Sequence, residues 1–357
     1  MERPQDTEDF GHAARSLLEA SARVGSNPLY VQGAGGNTSL KIGDVLRVKA
    51  SGTRLADALV SDVFVDVSLS RVRQGVRDCA ADPVAGAALG AGGLRPSIET
   101  TLHALMPHPV VFHVHCVNTL AWAVQPSAAP ALAARLDGLA WAMVPYCKPG
   151  LDLTRAVAAA VAERPADAPA DVVILANHGL IVGGADCAAV EALLDEVAGR
   201  LRVDPRPAGN PDRARLEEIA AGSGYRPTRR DEAHGLALSP AAVRIAASGS
   251  LYPDHVVFLG PGVAVAEDRA ALDRVVSASG ALPFRPVVLI PGAGVLVPEG
   301  LGEAGEEMVA ALAMVVARIP DGAGVSCLSA ADEQALLNWD AEKYRQSLQT
   351  SQTLQPR

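Results

Sequence analysis

Paired cysteines, long apolar runs and an excess of positive charge are all missing from this chain, and each absence closes off a class of protein. The five cysteines, Cys79, Cys116, Cys147, Cys187 and Cys327, are scattered, odd in number and never spaced as CxxC. They read as reduced thiols and not as a disulfide framework. The longest apolar runs, such as "MVVARIP", fall well short of the roughly 20 residues that cross a bilayer. The N-terminus, "MERPQDTEDFGHAARSLLEA", is charged and then amphipathic, without the apolar core of a secretory signal. Together these features predict a cytoplasmic protein with no membrane partner. A formal net charge of -9 gives no electrostatic basis for holding nucleic acid or an anionic membrane. An anionic ligand would need a local, preorganised pocket.

Aromatic residues are scarce at 4%, while apolar residues reach 49%, much of it Ala, Val and Leu, over 357 residues. That composition predicts a globular chain rich in helix formers, long enough for two domains. Helical spacing over residues 8–23 ends at "VGSNP", and "LYVQGAGGNTSLKIGDVLRVKASG" reads as strand, glycine loop, strand, tight turn and strand. "VFVDVSL" is a further strand, and 76–96 reads as a surface loop. A helix through "SIETTLHALM" leads to a strand at "PVVFHVH", then helices "NTLAWAV" and "PALAARLDG" and a strand "AMVPY". "LTRAVAAAVAE" is helical, "DVVILANHGLIVGG" forms two short strands, and "CAAVEALLDEVAGRLRV" is an amphipathic helix. The stretch "DPRPAGNPDR", 204–213, is the most linker-like. It separates an expected first domain, 1–205, from a smaller α/β domain, 214–346, with a frayed tail at 347–357. Within the second part, Asp254-His255 in "YPDHVVF" reads as a turn before a strand.

With only eight histidines in the chain, two stand one residue apart in "PHPVVFHVHCVNTLAW". Strand residues two apart share a face, so His113 and His115 would project together. A third, His178 in "ILANHGLIVGG", follows an apolar strand and precedes a glycine that turns the backbone away. Three neutral imidazoles with an open position suit catalytic zinc. An isolated His-x-His is more often structural; Glu99 in "RPSIETTLH" makes the difference. It stands at a helix start before the His113 strand, available as a fourth ligand or a general base. His103, four residues on, reads not as a ligand but as a packing residue or one that supports the ligands from behind. The loop "GAGGNTS" fits neither a Walker nor a dinucleotide pattern. It offers backbone N–H groups and the side chains of Asn37, Thr38 and Ser39, a nest for phosphate or carboxylate.

"GAGGNTS", "KASGTRLAD", "PSIETTLHALMPHPVVFHVH" and "LANHGLIVGG" resemble, in order and spacing, the class II aldolase/adducin family, over roughly residues 8–203. The resemblance implies an α/β/α sandwich around a mainly antiparallel sheet, commonly a homotetramer, acting on a small sugar or sugar phosphate. It implies His113, His115 and His178 as ligands of Zn2+ or another divalent metal, and Glu99 as the acid/base. It further implies a phosphate pocket drawn from Gly36, Asn37, Ser51, Gly52 and Ser97, and a catalytic or interface role for Tyr146 in "VPYCKPG". Ser97-Ile98 stands where the family often has two serines, which removes one hydroxyl donor. The implied reaction is cleavage of a ketose 1-phosphate to dihydroxyacetone phosphate and an aldehyde; dehydration or decarboxylation at the same site, or a non-catalytic adducin-like role, are the alternatives. "SGSLYPDHVVFLGPG" and "NWDAEKYR" are similar to bifunctional rhamnulose-1-phosphate aldolase/alcohol dehydrogenases. Because this chain stops before a dehydrogenase domain, neither that activity nor a nicotinamide cofactor is expected.

Overall fold

Short apolar strands separated by tight glycine turns pair early in the chain, and Ala-rich helices then close over both faces of the sheet they build. The computed structural model describes residues 4–90, 93–165, 167–280 and 284–338; most of "NWDAEKYR" and the tail expected to fray lie outside them. By packing, the chain divides into two units, one of residues 1–119 and 132–201, the other of 120–131 and 202–357.

The first unit runs α1 (Pro4–Gly25), β1 (Asn37–Ile42), β2 (Val45–Lys49), β3 (Phe64–Ser68), α2 (Leu69–Arg77), α3 (Thr100–Leu105) and β4 (Val110–Val114). It continues with β5 (Trp141–Val144), α6 (Leu151–Ala162), β6 (Val172–Leu175), β7 (Gly179–Gly184) and α7 (Cys187–Arg200), while α4 (Val117–Ala123) and α5 (Ala129–Arg135) are divided between the units at residues 119/120 and 131/132. The seven strands lie in the order β3-β2-β1-β4-β7-β6-β5. Every pair is antiparallel except β5 with β6, the mainly antiparallel sheet that was expected. Leu102 and Met106 pack with Leu153 and Val157 against Val111, Val173 and Ile181, so α3 and α6 cover one face. Helices α1 and α7 pack on β1, β4 and β7 from the other side. Both faces being covered, β4 is buried at all its positions, which is why it reads as a continuous apolar run and not as an alternation.

One local expectation is corrected, and one stretch with no assigned element proves helical. "LYVQ" is not a strand: Asn27 Oδ1 accepts from Leu29 N, and Asn27 O accepts from both Tyr30 N and Val31 N, so the chain turns there. An Asn-Pro pair favours that turn over extension. The chain also leaves β3 directly into α2, capped by Ser68, whose hydroxyl accepts from Arg71 N.

Lys41 of β1 supplies a testable energetic feature. Its Nζ donates to Met106 O at 2.5 Å and His108 O at 2.7 Å. Burial, helped by the nearby Arg73 guanidinium, pushes its pKa from 10.5 down to about 7. The unfolded chain therefore holds the extra proton between those two limits. The cost is fully present below the lower limit, and stability rises with pH above it by up to about 1.4 kcal/mol per pH unit. Lys41→Met removes the group. Denaturant melts should show the wild type gaining on the variant between about pH 7 and 10; identical pH dependence in both would refute the assignment.

The second unit contains α8 (Arg213–Ala220), β8 (Tyr225–Pro227), α9 (Pro240–Ala246), α10 (Pro253–Leu259), β9 (Ala264–Val265) and α11 (Arg269–Ala278). It ends with β10 (Val288–Ile290), β11 (Gly294–Pro298), α12 (Glu303–Val316) and α13 (Ala330–Leu337). Its sheet runs β8-β11-β10-β9, and Leu216, Leu272, Val288, Ile290 and Leu296 form its core. The strand expected at "HVVF" is instead α10. Pro253 at its first turn is preorganised for a helix, and Gly260, at φ +78°, stops it. Short apolar runs do not distinguish the two forms by periodicity. Among the described residues, no helix is long and apolar enough to cross a membrane, and the five cysteines form no disulfide.

Candidate metal centre

The pairing registers bring one end of the first sheet to a focus. Asn37 at the start of β1 lies opposite His113 of β4, and Val114 lies opposite Leu180 of β7, so His115 emerges beside the β6–β7 turn. That turn carries Asn177, at φ +52°, and His178. The turn is tight for a steric reason: a Cβ on Gly179 would sit 2.5 Å from Val114 O and 3.3–3.4 Å from the rings of His115 and His113.

The three imidazoles are buried and converge edge to face. Ring centroids lie 5.1 Å apart for His113 and His115, 4.9 Å for His113 and His178, and 5.3 Å for His115 and His178. One ring nitrogen from each falls within 4.8 Å of the others, a grouping able to hold a metal ion. Leu180 O lies 3.1 Å from His113 Nδ1. A carbonyl only accepts, so Nδ1 carries the proton and Nε2 turns its lone pair inward, the orientation a ligating imidazole needs.

Glu99 completes the group. It is the N-cap of α3 and is 4% exposed. Its Oε2 lies 3.5 Å from His113 Nε2 and its Oε1 3.5 Å from His178 Nε2. Both separations exceed the roughly 2.7–2.9 Å of a charge-assisted hydrogen bond. Oε1 accepts no hydrogen bond, although it is buried. A buried carboxylate facing inward lone pairs across such gaps is the donor set of a divalent cation, and the residues present fit one.

The remaining expected residues occupy the same end of the sheet in different ways. Asn37 Nδ2 donates to Glu99 Oε2 at 2.7 Å, so this amide serves the carboxylate directly. Gly36, at φ +64°, turns the chain where a Cβ would stand 3.0 Å from His113 O. The β1–β2 register brings Ser51 and Gly52, the latter at φ +78°, to the same end. Ser97 N donates to Lys49 O at 3.0 Å, and Ser97 Oγ accepts from Glu99 N at 3.2 Å. Thr38 faces away and shares a hydrogen bond with Ser21. Tyr146 follows β5 at this end, but β6 and β7 lie between it and the His113 strand.

Sequence reading did not single out Lys49. It is 2% exposed, and its Nζ donates to Ala34 O at 2.8 Å, underpinning the glycine loop. It stands in β2 on the same face as the half-buried Val45 and Arg47, so nothing local distinguishes it from a surface lysine.

The profile of the Class II Aldolase and Adducin N-terminal domain family matches residues 15–202, more than half of the chain, and the chain belongs to that family. Over 183 residues it is 28% identical to the uncharacterized oxidoreductase YuxG of Bacillus subtilis, covering 47% of this chain and 26% of YuxG. The chain thus spans about a quarter of that relative's length. Among solved structures it is similar to the N-terminal class II aldolase domain of a conserved protein from Thermoplasma acidophilum, at 24% identity and a TM-score of 0.45, covering 52% of this chain and 90% of that one. It is also similar to an L-fuculose 1-phosphate aldolase from Glaciozyma antarctica, at 15% identity and a TM-score of 0.39, covering 56% and 75%.

Proposed function

We propose that the chain is a divalent-metal-dependent aldolase that cleaves a ketose 1-phosphate, or a closely related sugar, to dihydroxyacetone phosphate and an aldehyde. The observation that carries this reading is the convergence of three buried imidazoles on a carboxylate 3.5 Å from two of them. His113, His115 and His178 would hold the ion, with zinc suited to the nitrogen ligands. Such an ion supplies polarisation of a carbonyl and stabilisation of the charge that develops as the neighbouring carbon–carbon bond breaks.

The rest is the work of the chain's own side chains. Glu99 takes the hydroxyl proton of the departing carbon as the carbon–carbon bond breaks and returns it to the carbon left by the aldehyde. Asn37 aims that carboxylate through the hydrogen bond to Oε2. Gly36, Ser51, Gly52 and Ser97, on the segments gathered at the same sheet end, bind the phosphate through backbone N–H and hydroxyl groups and so orient the reacting carbons. Tyr146 is assigned to the substrate's far end or to a contact with a second copy of the chain in a homo-oligomer.

The test is NMR of zinc-loaded protein against a panel of ketose 1-phosphates and their unphosphorylated forms, with and without chelator. Chelator-sensitive release of dihydroxyacetone phosphate is the expected outcome. Release of dihydroxyacetone from the unphosphorylated sugars would keep the aldolase and remove the phosphate requirement. Loss of water or carbon dioxide from the panel would replace it with a dehydratase or decarboxylase. Intact sugars throughout would overturn it.

A further inference from the structure

Behind the candidate metal centre, α3 and β1 are joined by two side-chain hydrogen bonds of equal length. Asn37 Nδ2 donates to Glu99 Oε2 at 2.7 Å, and Ser39 Oγ meets His103 Nδ1 at 2.7 Å. The bonded residues are two apart on the strand and four apart on the helix. Two strand residues advance about 6.8 Å and four helical residues about 6 Å, so the two bonds form nearly parallel rungs. A single rung would fix one distance. A second, displaced along the axis, also fixes how far the helix slides and turns against the strand.

The frame matters because of where Glu99 stands. As N-cap its backbone is at φ -98°, ψ 13°, outside helical geometry, and its side chain makes no capping hydrogen bond. The helix alone therefore leaves the carboxylate unaimed. Strand β1 is meanwhile paired with β4, with Asn37 opposite His113 and Ser39 opposite Val111. The same strand thus references both the imidazole and the helix that carries the carboxylate.

We propose that His103 is a positioning residue: by gripping Ser39 it locks α3 along β1, and thereby holds the Glu99 carboxylate against His113 and His178. The kinetic consequence rests on the aldolase reading above; the positioning itself does not. His103 is fully buried, and its Nε2 makes no hydrogen bond. Burial, with the neighbouring His113, Lys41 and Lys49, holds its pKa far below the ordinary histidine range, so it is a neutral ring whose polar work is done through Nδ1. An apolar side chain would fill the space without leaving a buried nitrogen unsatisfied. The bond to Ser39 is what the imidazole adds.

His103→Leu, His103→Asn and Ser39→Ala separate this role from packing. Asparagine offers a polar atom near the Nδ1 position, while leucine offers volume alone. Crystal structures of His103→Leu and Ser39→Ala should show the Glu99 carboxylate displaced by about 1 Å with the three imidazoles in place, and kcat lowered by roughly 10²-fold. Zinc content and KM should stay close to wild type, and His103→Asn should recover both the carboxylate position and most of kcat. An unmoved Glu99 would overturn the proposal, as would equal impairment of the Leu and Asn variants with equal losses of Tm. Ser39→Ala deletes a single oxygen and carries the test should His103→Leu fail to fold. If the wild type cleaves no ketose phosphate, the aldolase reading fails and the crystal structures alone decide the positioning.

Discussion

Glu99→Gln should lower turnover by at least ~10²-fold while zinc content stays at the wild-type level. The amide matches the carboxylate in shape, and its oxygen can still accept from Asn37 Nδ2, now at 2.7 Å from Glu99 Oε2. Its nitrogen then occupies the place of Oε1, 3.5 Å from His178 Nε2, with no change of volume, so the fold has no reason to yield. What the amide cannot do is take a proton at neutral pH. Kinetics and metal analysis on one preparation therefore separate three roles. Low turnover with full metal assigns proton transfer. Low turnover with metal lost would make Glu99 a necessary ligand. Near-normal turnover would rule out both and return Glu99 to the part of a helix-start carboxylate favoured by the dipole.

Much of the first sheet could be read from the chain because its determinants are local. The period of two in "VFHVH" put His113 and His115 together, and Pro96 with the polar residues after it marked the helix start where Glu99 stands. Registers were out of reach, because they are set between segments far apart in sequence. That Asn37 faces His113 follows from pairing across more than seventy residues, and no local pattern encodes it. The same limit hid the Ser39–His103 rung and the buried Lys49 beneath the glycine loop. In the second unit, α10 was missed because an apolar run of its length fits strand and helix equally; only Pro253 and Gly260 favour the helix. Residues 120–131, which group with the second unit, run from within α4 into the start of α5, two helices of ordinary composition that carry no signal of where they belong.

Gly179→Ala is the other substitution expected to have a large effect, and it acts through space alone. A Cβ there would lie 2.5 Å from Val114 O, a backbone atom at the end of β4, and within 3.4 Å of the His113 and His115 rings. Val114 cannot retreat without loosening its pairing with Leu180, and both rings belong to the proposed ligand set. Relief must come by separating β4 from β7, which moves His113 and His115 relative to His178. Overpacking of a well-filled core costs about 1–3 kcal/mol, and the displaced ligands should weaken zinc binding by roughly 10–100-fold. Gly43→Ala is the control. It carries φ +57° but has nothing within 4 Å of a Cβ, so it costs only the left-handed backbone term, about 1–2 kcal/mol, and leaves zinc affinity untouched. Competition titration of zinc against a chromophoric chelator, alongside thermal melts, reads both quantities. If Gly179→Ala keeps full zinc affinity although a crystal structure of the variant shows His113 and His115 moved relative to His178, the ion is not held by those three imidazoles together.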